Sequence, residues 1–317
     1  MEGLLLAAAA IIVTYNSEDC IGECLDSLAK MAPHVKPIVV DNASSDATLA
    51  RVRERTQIQI IANPENKGFA AAVNQGIAAC EEQHLLLLNP DVTLLTSVDA
   101  LVAASEQYGM AAGKLVDLDG RAQAGFTIRR LPTPASLIFE LFGINRVWPS
   151  NPANRWYRYL DRSPELPGAV EQPAGAFLMI RRDVWRTLGG LDEGFSPVWF
   201  EDVDFCKRAL DSGVRIEFVP QVEARHQGGH SVGRIPRGCR AMYWCVSLTR
   251  YAAKHFHQAG YRAVCLSVVL SSIPRMVARM ILERSVTPAA VYSRIVRFAG
   301  LCLVSFGRSA ARGGRIP

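Results

Sequence analysis

Four apolar runs near the start of the chain alternate with helical patterns, and this alternation limits the folds available to it. The runs cover residues 9–14, 37–40, 57–62 and 85–88. Between the first two, Ile21, Leu25 and Leu28 recur at helical spacing. Continuous apolar strands that alternate with helices predict an α/β fold, in which a mostly parallel sheet is flanked by helices.

Polar clusters follow these predicted strands at their carboxyl ends, where open α/β sheets bind ligands. The clusters comprise residues 14–16, 41–46, 63–68 and 89–91. Asp, Asn, Ser and Gly also form ordinary turns and caps, which accounts well for Ser44, Ser45 and Asp46. Turn formation accounts poorly for Asp41 and Asp91, because each ends a strand that faces the predicted site.

A second acidic cluster lies far downstream, in residues 198–205. There Glu201, Asp202 and Asp204 follow two aromatic residues and open a predicted helix. Acids in a first helical turn complement the helix dipole and cap free N–H groups, and an isolated cluster would favour that explanation. The acids upstream and His226 downstream favour a catalytic role instead.

Charge divides the chain into two parts. Beyond residue 235 there are 13 Lys and Arg residues and one acid, Glu283, which gives that segment a formal charge of +12. The whole chain carries +5, so the remainder carries −7. We predict one α/β domain in residues 1–235, with a strand at 123–129 and an irregular insertion at 131–173, and a basic helical extension in residues 236–317.

The basic extension has the pattern of an amphipathic helix at a membrane surface. Apolar residues in 264–273 and 276–281 are interrupted at Pro274 and accompanied by Arg275, Arg279 and Arg284, which favours contact with anionic lipid. No run approaches the roughly 20 apolar residues of a membrane span. Alternatively, these helices pack on the body or pair in a homo-oligomer. Nucleic acid is disfavoured, because no recognition motif accompanies the charge.

Signatures of several other protein classes are missing. No G-x-G-x-x-G follows the first strand and there is no Walker sequence, which disfavours dinucleotide oxidoreductases and P-loop kinases. The eight cysteines lack zinc-like spacing and are typical of small buried side chains in a reducing compartment. The apolar start at residues 4–13 lacks a basic flank, which favours a buried strand over a signal peptide.

The motifs together resemble family 2 glycosyltransferases, and within them the bacterial rhamnosyltransferases of cell-surface polysaccharide assembly. The resemblance spans residues 9–231 and rests on the ordered motifs 11–16, 40–46, 66–69, 88–91, 175–177, 200–204 and His226. It implies a GT-A (Rossmann-like) fold and an inverting transfer from a nucleoside-diphosphate sugar with Mg²⁺ or Mn²⁺.

The resemblance also implies residues that bind the donor. Asp41 would hydrogen-bond the nucleobase, and Thr14 and Asn16 would line its pocket. The remaining predicted nucleotide-sugar residues are Asn66, Gly68, Asn89, Gly175 and Ala176. The small residues before the strand at 177 permit close backbone approach to a ligand, although a tight turn explains them equally well.

The metal and the base are assigned in the same way. Asp91 and His226 match the metal site, with Asn89 in place of the first acid of the family's Asp-x-Asp and His230 as an alternative to His226. Asp202 matches the catalytic base. We assign Glu201 and Asp204 to orienting the base or the acceptor, with helix capping as the alternative.

The predicted partners follow from the family. They are a nucleoside-diphosphate sugar, with dTDP-rhamnose favoured, and a glycan acceptor carried on polyprenyl diphosphate, which places the enzyme on the inner face of the cytoplasmic membrane. UDP-galactofuranose or a UDP-hexose remain alternative donors. A non-catalytic nucleotide-sugar-binding protein and a membrane scaffold are the alternatives from other classes.

Overall fold

The computed structural model of the chain describes residues 7–228, 233 and 235–304. The chain divides into two compact units. The first comprises Met1–Leu131, Arg158–Glu193 and Glu201–Gly233, and the second comprises Pro132–Tyr157, Gly194–Phe200 and Arg234–Pro317. The residues predicted to bind the donor or metal, or to act as base, therefore all belong to the first unit.

Eleven strands occur among the described residues, all in the first unit. They are β1 (Ala8–Thr14), β2 (Val35–Asp41), β3 (Gln59–Ala62), β4 (His84–Leu88), β5 (Val92–Leu94), β6 (Gly109–Val116), β7 (Ile128–Arg129), β8 (Gly168–Ala169), β9 (Gln172–Pro173), β10 (Phe177–Arg181) and β11 (Arg215–His226). Nine of them form one sheet, and β7 pairs with β9 in a separate sheet of two.

The large sheet has the strand order β3-β2-β1-β4-β10-β6-β11-β5, and β8 also pairs with β11. β3, β2, β1 and β4 are parallel neighbours. β10 is antiparallel to β4 and β6, β6 is parallel to β11, and β5 is antiparallel to β11. The predicted α/β fold is thus confirmed. The sheet is mixed, because β10, β5 and β8 run opposite to the other six strands.

The described helices lie in both units. They are α1 (Ile21–Met31), α2 (Thr48–Arg53), α3 (Phe69–Ala78), α4 (Asp99–Tyr108), α5 (Pro134–Leu141), α6 (Ile144–Val147), α7 (Pro152–Tyr157), α8 (Arg182–Leu188), α9 (Glu201–Asp211), α10 (Arg237–His255), α11 (Gln258–Glu283) and α12 (Thr287–Val304). α1 to α4, α8 and α9 belong to the first unit, and the others belong to the second.

β1 shows why the central strands are continuous apolar runs. Ile12 belongs to one buried cluster, whereas Ile11 and Val13 on either side of it belong to another. Neighbouring side chains of a strand point to opposite faces, so the sheet is covered on both sides. The polar residues at the ends of the strands therefore lie at the edge of the sheet, beyond these two apolar layers.

The second unit contains elements that the sequence pattern did not predict. Residues 131–173, expected to be irregular, include α5, α6 and α7. Thr133 and Ser136 form a reciprocal capping box at the start of α5, with Pro134 in the first turn. In the C-terminal part, Pro274 was expected to interrupt the apolar run but lies inside the single helix α11.

α11 and α12 are long and apolar enough, by length and composition alone, to cross a membrane. The sequence-based expectation that no such segment exists was therefore wrong. Only 33% and 22% of their most apolar windows are buried within the structure. Core helices of soluble proteins satisfy the same length and composition test, so the finding by itself does not establish a membrane span.

Candidate active site

The predicted nucleobase pocket is assembled where β1 and β2 end side by side. Thr14 and Asp41 are register partners, and Thr14 Oγ1 donates a hydrogen bond to Asp41 Oδ1 at 2.8 Å. The backbone N–H of Ser44 donates to Asp41 Oδ2 at 3.0 Å. Asn16 joins the group through its backbone N–H, which donates to Ser44 Oγ at 2.9 Å. These bonds hold the buried carboxylate of Asp41 in one orientation at the edge of the sheet.

Asn66 and Gly68 form the loop that enters α3. The Asn66 side chain accepts a hydrogen bond from the Gly68 N–H at 2.9 Å, and Gly68 has a φ of 86°, in the left-handed region that favours glycine. The side chain of Asn42 donates to Gly68 O at 3.0 Å and accepts from the Lys67 N–H at 3.3 Å. Because Asn42 follows Asp41, this loop is tied directly to the predicted nucleobase pocket.

Asp91 and His226 meet because β5 and β11 are antiparallel neighbours. Val92 is the register partner of His226, and the Gln227 N–H donates to Asp91 O at 3.1 Å. His226 Nε2 lies 3.6 Å from Asp91 Oδ2, and the two side chains are only 4% and 7% exposed. Burial lowers the pKa of His226, and the negative charge of Asp91 opposes that change. The alternative ligand, His230, lies outside the described residues.

Gly175 and Ala176 connect the end of β4 with Asp202. The Asn89 N–H donates to Ala176 O at 3.0 Å, and the Gly175 N–H donates to Asp202 Oδ2 at 3.0 Å. A Cβ atom at position 175 would lie only 3.0 Å from Asp202 Cβ, so glycine permits this approach. The antiparallel entry of β10 thus brings residues 89–91 and Asp202 to the same edge of the sheet.

Asp202 is held in place by the backbone. In addition to the bond from Gly175, its Oδ1 accepts a hydrogen bond from the Val203 N–H at 2.8 Å. Burial raises the pKa of the Asp202 carboxyl, and these two hydrogen bonds together with the positive charge of Arg129 partly offset the rise. The carboxylate therefore has a fixed orientation and a higher affinity for a proton than an exposed aspartate.

Glu201 differs sharply from its neighbour. Its side chain is 5% exposed, and Oε2 has no hydrogen-bond partner within the part of the chain that the structure describes. Burial and the adjacent charge of Asp202 raise the pKa of Glu201 well above its ordinary value. Ionising two neighbouring buried acids at once costs much free energy. The two backbone hydrogen bonds to Asp202 and the positive charge of Arg129 favour Asp202 as the ionised member.

Asp204 faces the interior and not the edge of the sheet. Its side chain is 0% exposed and pairs with Arg208, whose Nε lies 2.8 Å from Asp204 Oδ2. The same guanidinium donates to the carbonyl oxygens of Leu188 at 2.6 Å and Gly190 at 2.8 Å. Asp204 therefore fixes α9 against the end of α8.

Three residues near the site were not selected from the sequence. Gln123 and Phe126 both contact His226, and Arg129 lies close enough to affect the pKa of Asp202. All three fall in residues 123–129, which were predicted to be a strand. Only β7 at the end of that segment is strand, and no local motif marks the others.

Asp91 and His226 fit a divalent cation that takes its remaining ligands from a substrate. In residues 7–228, 233 and 235–304, no group of three or more His, Cys, Asp and Glu side chains is placed to hold a metal. Mg²⁺ at nucleotide sites typically uses one or two protein carboxylates and the substrate phosphates. Donors that each lie about 2.1 Å from one cation are about 3 Å apart at a right angle and about 4 Å apart on opposite sides. The observed separation of 3.6 Å falls between these limits.

Comparison with known proteins identifies the class of enzyme to which this fold and site belong. The family model "Glycosyl transferase family 2" matches residues 9–185. The chain therefore belongs to glycosyltransferase family 2 and is a glycosyltransferase, as the ordered motifs predicted.

Two relatives within this family are rhamnosyltransferases. An N-acetylglucosaminyl-diphospho-decaprenol L-rhamnosyltransferase of Mycobacterium tuberculosis is 31% identical over 248 residues, which cover 71% of this chain and 78% of the relative. The rhamnosyltransferase WbbL of Escherichia coli K12 is 26% identical over 232 residues, which cover 69% of this chain and 83% of the relative. The resemblance to rhamnosyltransferases is thus confirmed.

Solved structures confirm the GT-A fold. The mannosyltransferase PcManGT from Pyrobaculum calidifontis, in complex with GDP-Man and Mn²⁺, aligns with a TM-score of 0.52 at 16% identity over 96% of this chain and 84% of its own. GalNAc-T7, with UDP, GalNAc and Mn²⁺, aligns with a TM-score of 0.55 at 16% identity over 80% of this chain and 52% of its own.

Proposed function

We propose that the chain is an inverting glycosyltransferase that transfers rhamnose from dTDP-rhamnose to a lipid-linked or polysaccharide acceptor in cell-envelope glycan synthesis. The names of the two rhamnosyltransferase relatives support the sugar, and that of the mycobacterial relative supports an acceptor carried on a polyprenyl diphosphate. UDP-galactofuranose and UDP-hexoses remain alternative donors, because nothing around Asp41 separates thymine from uracil.

One observation carries the proposal. Asn89 and Asp202 are joined by hydrogen bonds to the adjacent residues Ala176 and Gly175. A residue predicted to bind the donor and the predicted base are thus connected through one rigid backbone frame. A protein that only binds nucleotide sugars has no need of an oriented, buried carboxylate at this point. The frame therefore favours catalysis over a non-catalytic binding role.

Asp202 acts in this proposal as the general base. The acceptor hydroxyl oxygen forms a bond to the anomeric carbon while the bond from that carbon to the diphosphate oxygen breaks on the opposite face. The hydroxyl proton passes to Asp202, whose orientation is set by the Gly175 and Val203 amides. Proton acceptance by a positioned carboxylate typically contributes about 10²–10⁴ in rate.

Asp91 and His226 would hold Mg²⁺ or Mn²⁺ in the same proposal. When bound, such a cation stabilises the charge that develops on the departing diphosphate. The Mn²⁺ in the PcManGT and GalNAc-T7 structures supports a cation requirement in this fold. On the donor side, Thr14, Asn16 and Asp41 would receive the nucleobase and ribose.

The second unit would meet the membrane that carries the acceptor. On α11 the residues Leu266, Leu270, Ile273, Val277 and Ile281 recur every three or four positions and are 47–69% exposed. We call these five residues the outer stripe. The opposite face of α11, including Val264 and Val268, is buried within the second unit. A helix with one face packed and an apolar stripe free is suited to lying in a membrane interface, here the inner face of the cytoplasmic membrane.

A thermal-shift screen tests the proposal on the full chain. dTDP-rhamnose, UDP-galactofuranose and UDP-glucose are each added with and without Mn²⁺. Binding energy appears as stabilisation, and a ligand at 100 times its Kd contributes about 2.7 kcal/mol. We expect the largest shift with dTDP-rhamnose and Mn²⁺ together.

Transfer of labelled sugar to a polyprenyl-diphosphate-linked N-acetylglucosamine then tests the reaction itself. A larger shift and faster transfer with a UDP sugar would replace the rhamnose assignment by the alternative donor. Stabilisation without transfer to lipid-linked or polysaccharide acceptors would support a binding protein. The absence of stabilisation by all three donors would contradict the proposed function.

A further inference from the structure

Gln123 makes two different hydrogen bonds to His226. Its side-chain Nε2 donates to the backbone oxygen of His226 at 2.8 Å, and its Oε1 lies 3.0 Å from His226 Nδ1. The backbone N–H of Gln123 donates to Leu115 O at 2.9 Å, which ties the residue to β6. Gln123 is thus held by the sheet on one side and contacts both the main chain and the ring of His226 on the other.

The first of these bonds determines the second. A backbone oxygen only accepts, so the amide group that faces it must be the NH₂ of Gln123. The atom left facing the ring is then the carbonyl oxygen Oε1, which also only accepts. A hydrogen bond at this position therefore requires the proton of the ring to be on Nδ1.

The neutral ring then carries a lone pair at Nε2, which faces Asp91. The 3.6 Å between Nε2 and Asp91 Oδ2 is too long for a hydrogen bond, and both side chains are almost fully buried. Two desolvated acceptors that face each other repel, and a shared cation removes the repulsion. Phe126 stacks on the His226 ring, with centroids 4.9 Å apart and an interplanar angle of 13°, and so restricts rotation of the ring.

We propose that Gln123 is a positioning residue that holds His226 as the Nδ1–H tautomer, so that Nε2 and Asp91 together bind a divalent cation. The inference rests on the proposed function, because it concerns the cation of the same site. Partners that fix the outer nitrogen of a ligating histidine commonly change metal affinity by about 10–100-fold when they are removed. In this proposal Gln123 acts through its two hydrogen bonds to His226.

The tautomer can be measured without metal or nucleotide. Long-range ¹H–¹⁵N spectra of the full chain labelled with ¹⁵N-histidine, with His226→Gln for assignment, show which ring nitrogen carries the proton when the ring is neutral. We expect Nδ1–H in the wild type and in Gln123→Glu, which keeps an acceptor opposite Nδ1. In Gln123→Leu we expect a mixture of tautomers. A wild-type ring protonated at Nε2 would overturn the proposal.

Mn²⁺ binding supplies the second measurement. The free Mn²⁺ signal in electron paramagnetic resonance is followed during titration with saturating dTDP present. We expect Gln123→Leu to bind Mn²⁺ about 10–100-fold more weakly than the wild type, with Gln123→Glu in between. The matched control is Gln59→Leu, which removes a half-buried glutamine of β3 whose side chain donates to Ala79 O, and it should leave Mn²⁺ affinity unchanged.

The outcomes separate this inference from the proposed function. Equal Mn²⁺ affinity in Gln123→Leu and the wild type, or a wild type that binds no Mn²⁺, would contradict the role of Gln123. If the tautomer and Mn²⁺ results hold but no sugar is transferred, the positioning role stands and the proposed reaction fails.

Discussion

Asp202, the proposed base, is oriented by the protein backbone. The N–H groups of Gly175 and Val203 each occupy one carboxylate oxygen, while burial raises the pKa of the group. The hydrogen bonds alone would lower that pKa, so burial is the stronger effect here. The result is a carboxylate that is oriented like a structural group and is nevertheless a better base than an exposed aspartate.

We expect Asp202→Asn to reduce turnover by about 10²–10⁴ while donor affinity changes little. The amide oxygen can keep one of the two backbone hydrogen bonds, but the amide cannot take the proton. Steady-state kinetics and thermal shift with donor measure the two quantities separately. A matched control on the same helix is Asp211→Asn, which removes an exposed acid paired with Lys207. Near-normal turnover in Asp202→Asn would remove Asp202 as the base.

The pH profile gives the same prediction a second check. A base must be deprotonated to accept a proton, so kcat/KM should fall as the pH drops through the pKa of Asp202. Because burial raises that pKa, the fall should begin at a higher pH than for an exposed aspartate. The acid limb should disappear from the residual activity of Asp202→Asn, whereas Asp211→Asn should retain it.

Among the structural elements, the four parallel strands at one side of the sheet could be predicted because burial on both faces demands continuous apolar runs. β10 was also predicted as a strand, but its direction could not be predicted from the sequence. Strand direction depends on pairing between segments far apart in sequence, here Phe177 with Leu88, and no local pattern encodes it. The connection of Gly175 to Asp202 follows from that direction.

The same limit explains which site residues were missed. Asp91 and Asp202 stood out because acids beside apolar strands and aromatic residues are unusual, whereas the contact of Asp91 with His226 depends on β5, a three-residue strand. Gln123 belongs to a turn whose only distinguishing feature is its partner across the sheet. At Pro274 the sequence predicted an interruption where the structure has a continuous helix. A proline costs one helical hydrogen bond, but packing along α11 sustains the helix.

Asp204, another acid of helix α9, should contribute to the stability of the fold. Asp204 is fully buried, and its partner Arg208 also holds the carbonyl groups of Leu188 and Gly190. Removal of one partner from a buried ion pair typically costs about 3–5 kcal/mol, because the other charge is left uncompensated. We therefore expect Asp204→Asn to lower the midpoint of urea unfolding strongly while the folded fraction keeps measurable turnover.

Asp211→Asn supplies the matched control, because Lys207 and Asp211 have the same i,i+4 spacing on the same helix but the Asp211 side chain is 57% exposed. Exposed pairs of this kind contribute only about 0.3–0.5 kcal/mol. The unfolding midpoint of Asp211→Asn should therefore stay close to that of the wild type. If the two variants unfolded at the same urea concentration, Asp204 would have no special structural role.

At the level of the complete chain, the charge asymmetry and the outer stripe favour the same binding partner, a negatively charged lipid surface. The first 235 residues carry −7 and the remainder +12, so the extension alone is attractive to an anionic surface. Self-association through the outer stripe would bring two strongly basic extensions together, which charge repulsion opposes. A negatively charged lipid surface satisfies both the apolar stripe and the arginines.

Binding to lipid vesicles should reveal these two contributions separately. Arg294 and Arg297 are exposed on α12, and each basic residue near an anionic surface contributes about 1 kcal/mol, or roughly fivefold in affinity. We expect Arg294→Gln with Arg297→Gln to weaken co-sedimentation with phosphatidylglycerol vesicles by at least about tenfold.

Leu270→Ser with Val277→Ser should weaken binding through the loss of apolar contact, which added salt does not screen. Arg51→Gln with Arg121→Gln changes the net charge equally but on exposed positions of the first unit, and it should leave binding unchanged. An equal loss in that control would show that net charge and not the extension governs binding, and wild-type protein that stayed in the supernatant would end the membrane proposal.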